Sequence, residues 1–360
     1  MNPTLNTWTW VIWLSSTLVV IWSTRNPIYL GLILLTLICV WLSAATRIKK
    51  QYPGSRSTIP FSPVRISVFI IFFSAIFNGL ISRFGNTPLF YLPEWIPFLG
   101  GPVTLEGLAF GVINGMVLSG ILIAFMTVNL TLPARSLIRL IPRAFYPLAV
   151  VTSIAVTFLP NTTRQVDEIR ESQAIRGHRV RGLKDWLPLI MPLLIGGLER
   201  AMGLAETMTA RGFAGDEGKP LWTRSRVGLV FGLLFLLTGW LFQLIPALQV
   251  VGIITSSFGL CLIFYTLWTV GKRVQRSHYR RETWTYLDMF VIIGCALILS
   301  IYLLPFLWLD KSSIAYNPYP IITLPQFDIL IALASFMLVI PAIKKSNSNS
   351  DLHNQIRSDD

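Results

Sequence analysis

The chain has 360 residues, of which 53% are hydrophobic and only 13% charged, with a net charge of +13 and a mean hydropathy of +0.61. A water-soluble domain of this length needs far more polar surface, so the composition excludes one and predicts an all-α protein solvated by a lipid bilayer. The positive charge lies in short stretches between apolar runs, not on one polar face with stacking aromatics in a groove, and this excludes a nucleic-acid partner.

Mostly apolar runs long enough to cross about 30 Å of hydrocarbon fall at about 8–24, 28–45, 64–84, 105–130, 227–247, 250–271, 286–308 and 327–343. The N-terminal run has no basic lead-in and is followed almost at once by a second, unlike a cleavable signal. Basic clusters follow the second span (Arg47, Lys49, Lys50, Arg56), the fourth (Arg135, Arg139, Arg143), residue 271 (Lys272, Arg273, Arg276, Arg280, Arg281) and the last (Lys344, Lys345). The connection 85–104 has no Lys or Arg. Placing every cluster inside puts both termini in the cytoplasm, with four spans before residue 131 and four after 226; the single arginines Arg25 and Arg83 then face out.

The middle, 131–226, holds two shorter apolar runs, 145–160 and 186–198, each with arginines on both flanks. A solitary crossing by either would strand one flank on the wrong side, so both are read as helices lying on the cytoplasmic side. Charge alone leaves a hairpin crossing of the two open. Leu187, Ile190, Met191, Leu194 and Leu198 follow the spacing of one helix face. Each rod is apolar at its start and polar at its end, through Arg164, Asp167, Glu168, Arg170 and Glu171 in the first and Glu199, Arg200 and Glu206 in the second. The expected organisation is an N-terminal membrane region 1–130, a cytoplasmic coupling region 131–226, a C-terminal membrane region 227–345 and a disordered polar tail 346–360.

Both rods stop at the same signal: Ile175-Arg176-Gly177 and Ala210-Arg211-Gly212. Glycine just past a helix adopts the left-handed conformation that closes the last turn. The arginine before it sits beside the negative end of the helix dipole, and an ordinary capping role explains either occurrence alone. As a pair they suggest more. An arginine on a rigid tip offers a planar fork of donors that never loses its charge, matched to a carboxylate across an interface. The small Ala210 leaves room for a partner backbone, and two tips on neighbouring rods are expected to form a two-point contact that fixes orientation.

The stretches RAMGLAETMTARGF (200–213) and QAIRG (173–177), with TRNP (24–27), LPARSLIRL (132–140) and LPLIMPLLIGGLERA (187–201), resemble the transmembrane T component of energy-coupling factor (ECF) transporters, the EcfT/CbiQ family. The likeness covers roughly residues 8–250. It implies that Arg176 and Arg211 each pair with an acidic residue of a separate ATP-binding-cassette (ABC) ATPase subunit, that Gly177 and Gly212 end the coupling helices, and that Ala210 permits close contact. It further implies a small membrane-embedded S component that captures a vitamin or metal ion, in the cytoplasmic membrane. Ile175 departs from the family's alanine, and the C-terminal side is longer than usual. Asn26 and Pro27 match a family feature but read here as a tight turn between two spans.

The remaining candidates carry less. His178, His278 and His353 have no metal-ligand neighbours, and Cys39, Cys261 and Cys295 all lie in apolar runs and read as small buried hydrophobes. Glu94 and Glu106 read as interfacial charges at the start of the fourth span, and Asp288 as a charge near the start of another. Mid-span charges of the kind ion-coupled carriers use are almost absent, and no Gly-rich GxxxxGK[ST] loop is present. The chain is therefore expected to bind no cofactor of its own and to take its energy from a partner. A membrane-embedded enzyme would need a second acidic cluster beside Asp216-Glu217; that class and a non-transport scaffold are the competing readings.

Overall fold

The computed structural model describes residues 5–51, 62–82, 84–92, 101–177, 186–213, 222–273, 284–303 and 311–342. His178, His278, His353, Glu94, Asp216, Glu217 and the tail 346–360 lie outside these. Eleven α-helices carry the described chain: α1 Thr7–Ser23, α2 Pro27–Gln51, α3 Pro63–Ile81, α4 Leu105–Thr131, α5 Ala134–Leu137, α6 Tyr146–Ile175, α7 Leu187–Ala210, α8 Trp222–Gln243, α9 Gln249–Arg273, α10 Tyr286–Leu303 and α11 Ile329–Phe336. Among the described residues the chain is all-α apart from one antiparallel hairpin, β1 Pro88–Leu92 with β2 Gly101–Thr104. The sequence offers that stretch only as a connection without Lys or Arg, although Phe90, Tyr91, Val103 and Thr104 are β-forming types.

Every expected apolar span is helical over most of its length. Helices α2, α3, α4, α9 and α10 are long and apolar enough to cross a membrane, whereas Thr7–Ser23, Val227–Gln243 and Ile329–Ala342 are shorter. Helices α6 and α7 meet the same criteria, since each apolar run continues as unbroken helix into its polar half and reaches 30 and 24 residues.

The chain divides into two compact units, Met1–Pro133 with Arg281–Asp360, and Ala134–Arg280. In the first, a core of Trp13, Ile21, Tyr29, Ile33, Ile123, Ile298, Ile331 and Leu338 joins α1, α2, α4, α10 and α11. Helix α3 packs on α4 across Gly107, Gly111 and Gly115, spaced one turn apart. A Cβ at Gly111 would fall 2.6 Å from the Ser74 carbonyl oxygen, so only glycine allows this approach. The far side of α3 is an exposed ladder of stacked rings, Phe69, Phe73 and Phe77.

Polar groups fasten both ends of this unit. At one end Asp288 is fully buried. Its Oδ1 accepts the Asn6 backbone N–H (2.8 Å) and the Thr9 hydroxyl (2.8 Å), and its Oδ2 the Thr285 N–H (2.8 Å). One carboxylate thus caps α10 in the manner of a capping box and ties down the start of α1. Near that end Arg47 donates to the carbonyls of Pro341 and Ala342. At the other end Asn26, also fully buried, caps α2 by accepting the Ile28 N–H (3.0 Å), with Pro27 at the first helical position. Its amide donates to the carbonyls of Ser313 (2.7 Å) and Gln326 (2.8 Å). The TRNP stretch is therefore a clasp as well as a turn. Glu106 is likewise buried, not an interfacial charge: it accepts the backbone N–H groups of Asn86 and Thr87 and fixes the base of the β-hairpin.

In the second unit α8 and α9 form an antiparallel hairpin. Gly232 faces Gly259 and Gly239 faces Gly252; a Cβ at Gly239 would lie 2.5 Å from the Ser256 nitrogen. Gln243 closes the seam by donating to the Gly252 carbonyl and the Ser256 hydroxyl.

Candidate functional site

Helices α6 and α7 form the second pair of this unit. Gln165 accepts a hydrogen bond from Arg200 Nη2 and lies against Gly196, where a Cβ would come 2.7 Å from Gln165 Nε2. The rings of Tyr146, at the start of α6, and Phe213, just past the end of α7, are 6.5 Å apart. These contacts fix an antiparallel register.

The inward face of α7 is Leu189, Leu193, Gly196, Arg200, Leu204 and Met208, all at least half-buried. The stripe Leu187, Ile190, Met191, Leu194 and Leu198 points away from α6 and is exposed. Its helical spacing was legible in the sequence, but the face that meets α6 is the other one. A glycine and a Gln–Arg pair make that contact, and apolar periodicity does not register either.

The two helix ends have nearly the same shape. Arg176 closes α6 at φ −76°, ψ 5° and Arg211 closes α7 at φ −87°, ψ 8°. Gly177 and Gly212 follow in the left-handed region, at φ +82° and +76°. The Gly177 N–H donates to the Ala174 carbonyl (3.0 Å) and the Gly212 N–H to the Thr209 carbonyl (2.9 Å). At the second end the Phe213 N–H also reaches the Met208 carbonyl (3.0 Å), completing a Schellman motif. Among the described residues, chain neighbours aside, no atom lies within 4 Å of the place a Cβ would take on either glycine. Ile175, Arg176, Gly177, Ala210, Arg211 and Gly212 are all exposed, Ile175 at 83%. Each arginine is thus carried on a rigid, open tip.

The structure corrects one expectation about these tips. They do not sit side by side as a two-point contact. Both motifs are C-terminal, and C-termini of antiparallel neighbours fall at opposite ends. Phe213 lies beside Tyr146 while Arg176 is 30 positions further along α6, which separates the two arginines by on the order of 40 Å at 1.5 Å per residue. Two one-point contacts replace a single two-point one.

Among the described residues no group of three or more His, Cys, Asp or Glu side chains is placed to hold a metal ion. The fold and these tips define a class first: a multi-pass helical membrane protein that presents two arginine-tipped helices on an antiparallel pair. The family model described as cobalt transport protein, CbiQ, matches residues 3–222, and the chain belongs to that family. It is 28% identical over 197 residues to the energy-coupling factor transporter transmembrane protein EcfT 1 of Listeria monocytogenes, covering 49% of this chain and 69% of the relative. It is 27% identical over 211 residues to EcfT of Lacticaseibacillus paracasei (53% and 72%), and 33% over 153 residues to EcfT of Acidaminococcus fermentans (38% and 56%). The chain is accordingly a transport subunit of the transmembrane-component type. The family match ends at residue 222, so α9–α11 and nearly all of α8 lie beyond it.

Proposed function

We propose that this chain is the coupling subunit of an ECF-type ATP-driven importer. Arg176 and Arg211 dock on two separate ABC ATPase subunits in the cytoplasm, each arginine gripping a carboxylate through paired hydrogen bonds. The observation that carries this reading is the pair of matching, exposed arginine ends at opposite ends of one antiparallel helix pair. A single partner would need adjacent tips; two partners need separated ones. Closure of the ATPases on ATP pulls the tips, and the outward apolar stripe of α7 passes the movement to a membrane-embedded S component carrying a vitamin or metal ion.

The polar middle of the α6–α7 pair supports placing it along the cytoplasmic face. The contact of Gln165 with Arg200 lies in the middle of the register, flanked by exposed Arg164, Asp167, Glu168 and Glu199. A hairpin crossing would sink those charges at mid-bilayer, where each is costly. Both chain termini are then cytoplasmic, in the cytoplasmic membrane.

The test is co-purification of the ATPases with the full chain. Arg176→Ala and Arg211→Ala should each weaken retention of one subunit, since the lost arginine leaves a partner carboxylate unpaired at about 2–5 kcal/mol. The double variant should release both and abolish ATP-driven uptake. Unaltered association and uptake in the double variant would refute the docking assignment.

A further inference from the structure

We infer that the hairpin α8–α9 is an arm driven by the second docking tip, so that movement at Arg211 is delivered into the bilayer through residues the family match does not include. This rests on the docking reading for the source of the movement, and on the structure for the path.

The path is short and stiff. Phe213 is fixed to the last turn of α7 by its N–H bond to Met208, and its ring meets Tyr146 at 6.5 Å with the planes 36° apart. Tyr146 opens α6 immediately after a 3-10 turn, Arg143–Phe145, to which its own N–H is bonded through the Arg143 carbonyl. Pro142 and Pro147 flank this knuckle, and each ring fixes its own φ. The end of α9 rests directly on it. Gly271 is buried, and a Cβ there would stand 3.4 Å from Arg143 Cβ and 3.5 Å from the Ala144 nitrogen. The glycine seam described above then locks α9 to α8, so the hairpin moves as one piece. The other tip, Arg176, lies at the far end of α6, 30 positions from this knuckle. The outer faces of α8 and α9 are almost wholly apolar and exposed, including Phe231, Trp240, Ile254 and Phe264, as suits an arm that sweeps through lipid.

Spin labels at positions 206 and 265, in a full-length chain whose three cysteines are alanine, test the path by pulsed electron resonance in lipid nanodiscs. A single narrow distance that nucleotide does not alter is expected. Tyr146→Ala or Gly271→Leu should broaden or split it. A bimane fluorophore at position 265 then tests the drive: ATP should shift its emission in the complex with the ATPases, and either substitution should abolish the shift while the ATPases still co-purify. An unaltered distance distribution in both variants, or an ATP response that survives both, would overturn the inference. Failure of any ATPase to co-purify with the unsubstituted chain would instead remove the docking reading, and the distance measurement would still decide the linkage.

Discussion

At the scale of single residues, the groups that fasten the first unit are the least expected from sequence. Asp288 and Asn26 each occupy positions that a hydropathy reading assigns to the margins of a span, yet both are fully buried and fully used. Their partners lie 282 and 287 positions away, respectively, and no local pattern announces a contact at that distance. The tips are the opposite case. A glycine after a helical run is a local signal, and left-handed Gly177 and Gly212 sit where that signal puts them. Replacing Asp288 by alanine strands the N–H groups of Asn6 and Thr285 and the Thr9 hydroxyl without their acceptor. The expected cost is about 3 kcal/mol, read as a lower thermal unfolding midpoint of the full chain in detergent. Asp288→Asn, which keeps one acceptor oxygen, should lose less; an unchanged midpoint for the alanine variant would show the clasp to be idle.

Elements are held together here by two kinds of seam, and sequence discloses only one. Apolar cores such as that of α1, α2 and α10 follow from the length and composition of the runs. Backbone-to-backbone seams depend on which glycines face each other, and the chain has 25 glycines to choose from. Spacing of four in Gly107, Gly111 and Gly115, or in Gly228 and Gly232, is visible beforehand; the partner surface is not. Gly239→Val would drive a side chain into the Ser256 nitrogen and the Gly252 carbonyl. Overpacking of this kind costs about 1–3 kcal/mol, and limited proteolysis should cut the α8–α9 hairpin faster than in the parent. Equal cleavage rates would mean that the helices do not meet along this seam.

For the whole molecule, the direction of the α6–α7 pair matters most. Its span of on the order of 40 Å exceeds the 30 Å of a hydrocarbon core, so a transverse pair would place the two arginines on opposite faces of the membrane. A pair lying along one face would leave both on the same side. Charge distribution in the sequence favours the second arrangement but names no register; the register comes from Gln165, Gly196 and the Tyr146–Phe213 rings. Cysteines introduced at positions 175 and 210 should both react with a membrane-impermeant maleimide in inside-out vesicles and stay protected in intact cells, whereas one at 317 should behave the other way round. Labelling of 175 and 210 from opposite sides would end the proposal of two cytoplasmic partners.

The grip of Asn26 on the carbonyls of Ser313 and Gln326 also sets a timetable for biogenesis. A ribosome incorporates Asn26 fully 287 codons before the first carbonyl that its amide must hold. Through that interval a carboxamide bound for a water-free interior has no native acceptor for its donors, and the insertion machinery or transient water must shelter it. Assembly of this unit is therefore a late event, completed when the final helices arrive.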